Sequence, residues 1–564
     1  MILVEPARAA EFRTKGWWDQ VRLTDLLDKA AQETPDIEAL IDPSNRTSIA
    51  GGVPRRLTWK QVAIEVARLA GVLHSLGLTK DDVILTQLPN TVECPILYLA
   101  AWRLGVIVSP LPVQHREKEI VFCANRTSAK ALITMPKISG RDHLSLMRAS
   151  AKDCPTVSAI LAFGGGEDAI DLNQQLESVS QAAVGAAERA SDVSADDVTT
   201  VCWTSGTEAD PKGVPRSHNE WRMAAGFLIA AAELKPGARI LTPFPLVNMS
   251  GIGSGIAVWL ELAGAMVLHH PFDLGLFLNQ LRDEEIDYST TAPAILTQLL
   301  NEPELLQGID FGRLSRIGSG SAPLSEWLVS TWRSVYGVEI VNSYGSNEGA
   351  GLIATWRDVP DPAERGMFFP RFGDARFQWS HRMGGCILNR LVDPESGVEI
   401  DEPGRPGELR VKGPTVFSGY WHAPELNEAA FDDEGWYRTG DLFEIAGDRQ
   451  QFYKFVGRLK DIVLRGGMNI SCEEIENCLS AHPSVREVAV VGAPDPVLGE
   501  RICACVVIRP GCVLTLADVT DYLRTQWRCA VYKLPERLEF FESLPRNPTG
   551  KILKRDLRHS LNSL

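Results

Sequence analysis

The sequence predicts an α/β protein: a large N-terminal domain of mainly parallel sheets and helices, then a small α+β C-terminal region of about a hundred residues. Three observations carry that prediction. Apolar residues recur at helical spacing and give way to short apolar runs of strand length. A strand runs straight into a loop rich in hydroxyls and glycines. The alternation then breaks near Gly457, where GRLKDIVLRGGMNISCEEIE begins a different pattern.

Val62, Val66, Leu69, Leu73 and Leu76 lie on one helical face, Gly77 stops that helix, and Asp82 to Leu85 follows as a short buried strand. A second helix (91–104) and a second strand (105–109) continue the alternation. The small-residue run 178–197 reads as a surface helix and linker, and Thr199 to Trp203 as a strand delivering a loop to a helix start. Gly251 to Leu268 is apolar but carries Glu261 and several glycines, and reads as a buried helix. Beyond residue 457 the pattern predicts a helix (472–481), strands at 485–491 and 502–508, a helix (516–527) and a basic tail.

At 564 residues the chain is long enough for two or more cores. Lys plus Arg number 57 against 72 Asp plus Glu, a formal net charge of -15 that argues against nucleic acid as a partner. The 11 cysteines form no C-x-x-C pair, which speaks for a reducing, cytoplasmic setting. No apolar stretch has the length of a signal peptide core or a transmembrane segment. Trp17 and Trp18 beside Arg13 and Lys15 are expected to dock onto the large domain rather than on a membrane surface. A homo-oligomer is left open.

Thr204 to Trp221 reads TSGTEADPKGVPRSHNEW. Thr204, Ser205 and Thr207 offer hydroxyls, Gly206 and Gly213 allow close backbone approach, and Lys212 adds a point charge, a combination suited to a triphosphate. It lacks the G-x-x-x-x-G-K-[ST] spacing of a Walker loop, and by itself a polar surface turn fits equally well. Four further motifs follow in order: Tyr344-Gly-Ser-Asn-Glu-Gly349, Tyr437-Arg-Thr-Gly-Asp441, Gly457-Arg-Leu-Lys-Asp461 and Pro545-Arg-Asn-Pro-Thr-Gly-Lys551. Each singly reads as a turn or a solvated charge cluster.

Together, from about Leu23 to the C-terminus, they resemble the adenylate-forming superfamily of acyl-CoA and aryl-CoA synthetases, peptide-synthetase adenylation domains and luciferases. The resemblance implies a domain at 1–456, a hinge at 457–461 and a small mobile domain at 462–564. It implies an AMP-forming ligase that takes a small-molecule carboxylic acid, ATP, Mg²⁺ and coenzyme A. The loop Thr204, Ser205, Gly206, Thr207 and Lys212 would hold the β- and γ-phosphates, with Asn347 in support. Glu348 would take Mg²⁺. Tyr344 would lie along the adenine, and Gly320, Ser321 and Ala322 would line its pocket. Asp441 would accept from the ribose hydroxyls, with Arg458 beside it. Lys551 would be the adenylation cation, because negative charge spreads over the α-phosphate oxygens during attack. Lys460 would be the hinge of a swinging C-terminal domain, and Gly466 and Gly467 would pass the pantetheine arm; a plain tight turn explains those glycines equally.

This chain departs from the pattern at Ala209, Asp210, Asn347, Asn248 and Cys472, and none of these removes a charge essential to adenylation. Asn248, Met249, Gly251 and Gly318 are the candidate acid pocket. No acidic residue lies between Thr242 and Leu260, so an amino acid, whose ammonium would go unpaired, is a poor candidate. Gly251, Gly253 and Gly255 indicate either room for a bulky apolar acid or close helix packing, and fatty, alicyclic, aromatic and steroid-type acids stay open. The chain continues for 13 residues past Lys551 (564 minus 551), too few for an appended carrier domain, which favours free coenzyme A as acceptor. The alternatives are an aryl-AMP ligase loading a separate carrier protein and, from another class, a non-catalytic nucleotide-binding relative.

Overall fold

The computed structural model describes residues 1–166, 168–190, 192–204, 211–320, 324–349, 351–465, 468–495, 498–527, 529–547 and 551–562. The chain forms two compact units. The first comprises Met1–Thr204, Pro211–Leu388 and Val411–Tyr437; the second includes Asn389–Arg410 and Arg438–Leu564.

Among the described residues, the first unit holds a seven-stranded and an eight-stranded sheet. The seven-stranded sheet starts from the helix-then-strand pattern. Thr58 accepts from the Gln61 N–H and Gln61 returns the bond, a capping box that starts the helix Trp59–Ser75. Gly77 follows at φ +83°, and Val83–Thr86 is a fully buried strand. The helix Glu93–Leu104 and the strand Ile107–Pro110 continue as expected. Val83–Thr86 pairs in parallel with Ile107–Pro110 and with Ala131–Thr134. Val198–Trp203, also fully buried, joins the same sheet beside Ile107–Pro110. The surface helix expected in the linker is Gln181–Ala190. Trp18 is buried and its indole N–H donates to the Pro414 carbonyl at 3.2 Å, so this part of the N-terminal segment docks on its own unit.

The eight-stranded sheet carries six parallel neighbours in the spatial order Glu339–Gly345, Arg316–Gly320, Tyr288–Thr290, Arg239–Thr242, Ala265–Leu268, Glu38–Ile41. Their core is leucine- and isoleucine-rich and closed by Trp332. The apolar run 251–268 is a helix only in its first part. A π-helix, Met249–Ala257, passes into Val258–Leu262, and Ala265–Leu268 is then a strand. The turn between them explains the switch: Ala263 has φ +48°, and a Cβ on Gly264 would stand 1.9 Å from the Ala238 carbonyl oxygen.

The second unit is α+β. Ile462–Arg465 and Met468–Ser471 form an antiparallel hairpin, and Val485–Asp495 pairs with Gly499–Ile508. Arg537–Phe540 joins in parallel, a strand absent from the sequence pattern. The helices Cys472–Ser480 and Leu516–Thr525 cover one face through Ile475, Leu479, Val519 and Leu523. The basic tail is a helix, Lys554–Asn562, whose Leu557 and Leu561 join a smaller core with Ala489, Val491 and Cys503.

Gly264→Ala should lower the thermal midpoint by several degrees, since the added methyl overlaps a backbone oxygen that cannot retreat; each kcal/mol shifts Tm by about 2–4 °C in a domain of some 150–250 residues. An unchanged midpoint in a thermal melt would show that the turn is not under this constraint.

Candidate active site

Parallel strands end on the same side of their sheet, and in open α/β sheets that carboxyl edge is where ligands bind. In the first unit it brings Thr242, Thr290, Gly320 and Gly345 to the ends of four adjacent strands, with Tyr344 one residue before the last. Tyr344 packs edge-on against Phe369, centroids 6.3 Å apart.

The turn after Tyr344 is held by Arg216. This side chain has no exposed area, and its Nε donates to the Asn347 carbonyl at 2.7 Å while another guanidinium N–H reaches the Thr415 carbonyl. Burial lowers its pKa. Gly349, at φ +82°, is obligatory here: a Cβ would lie 1.7 Å from the Thr415 oxygen and 2.4 Å from Arg216. Between these anchors sits Glu348, itself buried, with the Tyr420 hydroxyl donating to its Oε1 at 2.9 Å. Tyr437 stands 3.5 Å from the Tyr420 hydroxyl. Burial and then Glu348 push both phenols above their ordinary range. The Lys212 ammonium lies 4.7 Å from the Tyr420 ring centroid. Tyr420 therefore links Lys212 to the Glu348 carboxylate.

The strand before this loop pairs with a strand after it, where the sequence pattern expects a helix. Val198–Trp203 pairs antiparallel with Gly213–Ser217, and the helix His218–Ala232 starts only after that second strand, capped by Ser217 and Glu220. The hairpin closes where Thr204 N–H donates to the Lys212 carbonyl at 3.0 Å and Lys212 N–H to the Thr204 hydroxyl at 3.3 Å.

In the second unit, Asp441 and Arg458 face each other across an antiparallel pair, with Arg458 Nε 3.3 Å from an Asp441 oxygen. Lys551 is anchored by a reciprocal clamp: its N–H donates to the Asn547 side-chain oxygen at 2.8 Å, and the Asn547 N–H to its carbonyl at 2.8 Å. Desolvation by the surrounding protein, reinforced by Arg458, pulls the Lys551 ammonium down to about 8, against the opposing pull of Asp441, Asp461 and Glu473. Burial, then the nearby Glu476, raises Glu473 to about 7. Lys460 lies in the single 3-10 turn Leu459–Asp461, between the strand ending at Arg458 and the one starting at Ile462.

A family model described as AMP-binding enzyme matches residues 27–421, and one described as AMP-binding enzyme C-terminal domain matches residues 474–551. The chain belongs to the AMP-binding enzyme family. It is similar to the long-chain-fatty-acid--CoA ligase FadD13 of Mycobacterium tuberculosis, 29% identical over 95% of this chain and 98% of that protein. It is similar to a salicylyl-CoA synthase / salicylate adenylyltransferase of a Streptomyces species, 30% identical over 98% and 96%. In structure it is similar to ATP-bound MatB from Rhodopseudomonas palustris, with TM-score 0.78 and 27% identity, covering 96% of this chain and 99% of that one.

In this AMP-binding enzyme the first unit brings together Thr204, Lys212, Asn347 and Glu348. Asn347 is largely committed to the scaffold: its amide donates to the Trp203 carbonyl at 3.2 Å and its oxygen accepts from Met249 N–H at 3.0 Å. Asn248 caps the π-helix, accepting from Gly251 N–H at 3.1 Å. The glycines of that helix are there for packing rather than for an open pocket. A Cβ would lie 1.9 Å from the Pro245 oxygen at Gly251, 2.8 Å from the Met249 sulfur at Gly253 and 2.9 Å from Thr242 at Gly255. Gly318 is pressed by the Tyr288 hydroxyl (2.1 Å) and Gly320 by the Ser343 carbonyl (2.0 Å). Ser205, Gly206, Thr207, Ala209, Asp210, Ser321, Ala322, Gly466 and Gly467 lie outside the described residues, as does the Lys460 side chain. Sequence reasoning missed Arg216, Tyr420 and Tyr437 as site residues. No motif singles out Arg216 within VPRSHN, and nothing in sequence spacing points Tyr420, 72 positions away, at Glu348.

The low Lys551 value has a signed consequence. The ammonium is complete well below pH 8, half lost at about 8 and gone well above it. Acid-dependent pyrophosphate exchange should therefore fall above pH 8, and Lys551→Arg, whose guanidinium stays charged, should lose that fall while retaining reduced activity. A rate constant through pH 9.5 in the unsubstituted protein would show that this titration does not govern the step.

Proposed function

We propose that the protein activates a carboxylic acid with ATP to an acyl adenylate and passes the acyl group to the thiol of coenzyme A, an AMP-forming acid–thiol ligase. The observation that carries this reading is the survival of both charge sets in a chain matched by the family models over both units: Glu348 with Tyr344 at the strand ends of the first, and Asp441, Arg458 and Lys551 grouped in the second. A non-catalytic relative has no need of them.

In the first step a carboxylate oxygen attacks the α-phosphorus, the bond to the β-bridging oxygen breaks, and pyrophosphate leaves. Two anions must meet, and Lys551 supplies the cation that offsets the charge on the equatorial oxygens. Asp441, held by Arg458, accepts from the ribose hydroxyls. Thr204 and Lys212 flank the β,γ-phosphate loop. A single buried carboxylate suits Mg²⁺, which keeps waters and substrate phosphates as its other ligands, and among the described residues Glu348 makes no ion pair that would compete. When bound, the ion neutralises phosphate charge; Tyr420 orients the Glu348 carboxylate by its hydrogen bond. In the second step the thiolate attacks the acyl carbonyl and AMP leaves. The hinge at 457–461 about Lys460 separates the two steps by turning the small domain.

We place the protein in the cytoplasm because all eleven cysteines are unpaired, and no helix among the described residues is long and apolar enough to cross a membrane. A carrier protein as acceptor is the second reading. It is favoured by the Streptomyces relative, whose name joins CoA synthase and adenylyltransferase.

The test is AMP and thioester formation from ATP, Mg²⁺ and a panel of acids, with and without coenzyme A. Acyl-CoA should accumulate and AMP release should accelerate with coenzyme A; a tightly held adenylate indifferent to coenzyme A would instead give the acceptor role to a carrier. Lys551→Ala should lower pyrophosphate exchange by at least ~100-fold while sparing thioester formation from supplied acyl adenylate, and Lys460→Pro should do the reverse. Equal loss of both steps in either variant would contradict the division of labour.

A further inference from the structure

The turn Leu459–Asp461 is flanked by ion pairs at both ends. Before it, Arg458 Nε stands 3.3 Å from an Asp441 oxygen; at its end, Asp461 Oδ1 accepts from an Arg558 guanidinium N–H at 2.7 Å. The first pair belongs to the nucleotide set described above. The second joins parts of the chain 97 positions apart and has no place in that set. Its side chains are only 23% and 26% exposed, which makes it more sheltered than the loose surface pairs that contribute little.

Arg558 lies in the tail helix Lys554–Asn562. Leu557 and Leu561 of that helix are seated in the smaller core, so it is not free to turn. One turn before Arg558, Lys554 reaches Glu476 at 2.8 Å and ties the helix to Cys472–Ser480 as well. The link back to Lys551 is short and hydrogen-bonded. Leu553 N–H donates to the Pro545 carbonyl at 2.8 Å, Ile552 bridges to Arg546, and Lys551 is clamped by Asn547. A continuous set of fixed groups therefore runs from Asp461 through Arg558 and the tail helix to Lys551. The Asp461 carboxylate also acts on the ammonium through its charge: with Asp441 and Glu473 it opposes the downward pull of desolvation and Arg458.

We infer that the Arg558–Asp461 pair is a positioning device for the adenylation step: it ties the tail helix, and through it Lys551, to the end of the hinge, so that Lys551 and residue 461 turn as one body. The inference rests on the ligase reading above and its assignment of Lys551 and the hinge. Arg558 itself touches no reacting group. Its effect comes through Lys551, a cation whose misplacement by about 1 Å can cost on the order of a hundredfold in rate.

The experiment measures acid-dependent pyrophosphate exchange, and thioester formation from supplied acyl adenylate, between about pH 6.5 and 9.5, using whichever of benzoate, cyclohexanecarboxylate and decanoate turns over fastest. Arg558→Ala should lower kcat for exchange by about tenfold or more, with KM for ATP and acid and the thioester step within about twofold. Arg558→Lys, which restores the charge, should recover much of the loss. Asp461→Asn should share the loss and also move the alkaline fall in exchange to lower pH, because a carboxylate that raises Lys551 is gone; Arg558→Ala keeps that carboxylate and should not move the fall downward. Arg555→Ala removes an exposed cation of the same helix, one that pairs with the adjacent Asp556, and should leave both steps unchanged. Unchanged exchange in Arg558→Ala, equal loss of both steps, a loss carried by KM, or an equal fall in Arg555→Ala overturns the inference and leaves the ligase reading standing. Absence of exchange with every acid in the unsubstituted protein overturns both.

Discussion

The candidate site of the first unit depends on one buried cation. Arg216 spends its guanidinium on backbone carbonyls rather than on an acid: Asn347 and Thr415 both accept from it, and Glu220 is no closer than 3.9 Å. A desolvated guanidinium is costly unless its fork of donors is filled, and two chain segments far apart in sequence must bring their carbonyls to it. Once they do, the turn 346–349 and the segment around residue 415 are locked together, Gly349 has no room for a side chain, and Glu348 meets Tyr420. The carboxylate's position follows from a hydrogen-bond geometry set on the opposite side of the turn.

A second constraint acts along the sheet edge. Parallel strands force their carboxyl ends into a row, and this chain uses glycine at 318 and 320 so that Tyr288 and the Ser343 backbone can approach closely. The π-helix then closes the row from above, its glycines seated against Pro245, Trp221 and Thr242. Space that the glycines suggest on paper is occupied by packing.

Much of this was legible in sequence where the physics is local. The helix Trp59–Ser75, the buried strands Val83–Thr86 and Val198–Trp203 and, in the second unit, the helices Cys472–Ser480 and Leu516–Thr525 and the strands Val485–Asp495 and Gly499–Ile508 follow from periodicity, caps and glycine stops. Failures came where long-range pairing wins. The apolar run 251–268 carries helical composition throughout, yet Ala265–Leu268 becomes a strand because Arg239–Thr242 offers a parallel edge. The strand Val198–Trp203 was expected to lead through its loop into a helix, yet Gly213–Ser217 pairs back on it first. The basic tail hides two leucines four apart that suffice to dock a helix. Of the candidate site, Glu348, Asp441, Arg458 and Lys551 are singled out by their motifs, whereas Tyr420 and Arg216 are brought to Glu348 and its turn only by the fold.

The central claim is that the acid's own oxygen attacks the α-phosphorus of ATP. Transfer of isotope tests it most directly: with the carboxylate labelled by ¹⁸O and coenzyme A present, one labelled oxygen should appear in AMP and none in pyrophosphate. Label in orthophosphate, with ADP as the nucleotide product, would mean an acyl phosphate intermediate and would contradict the account.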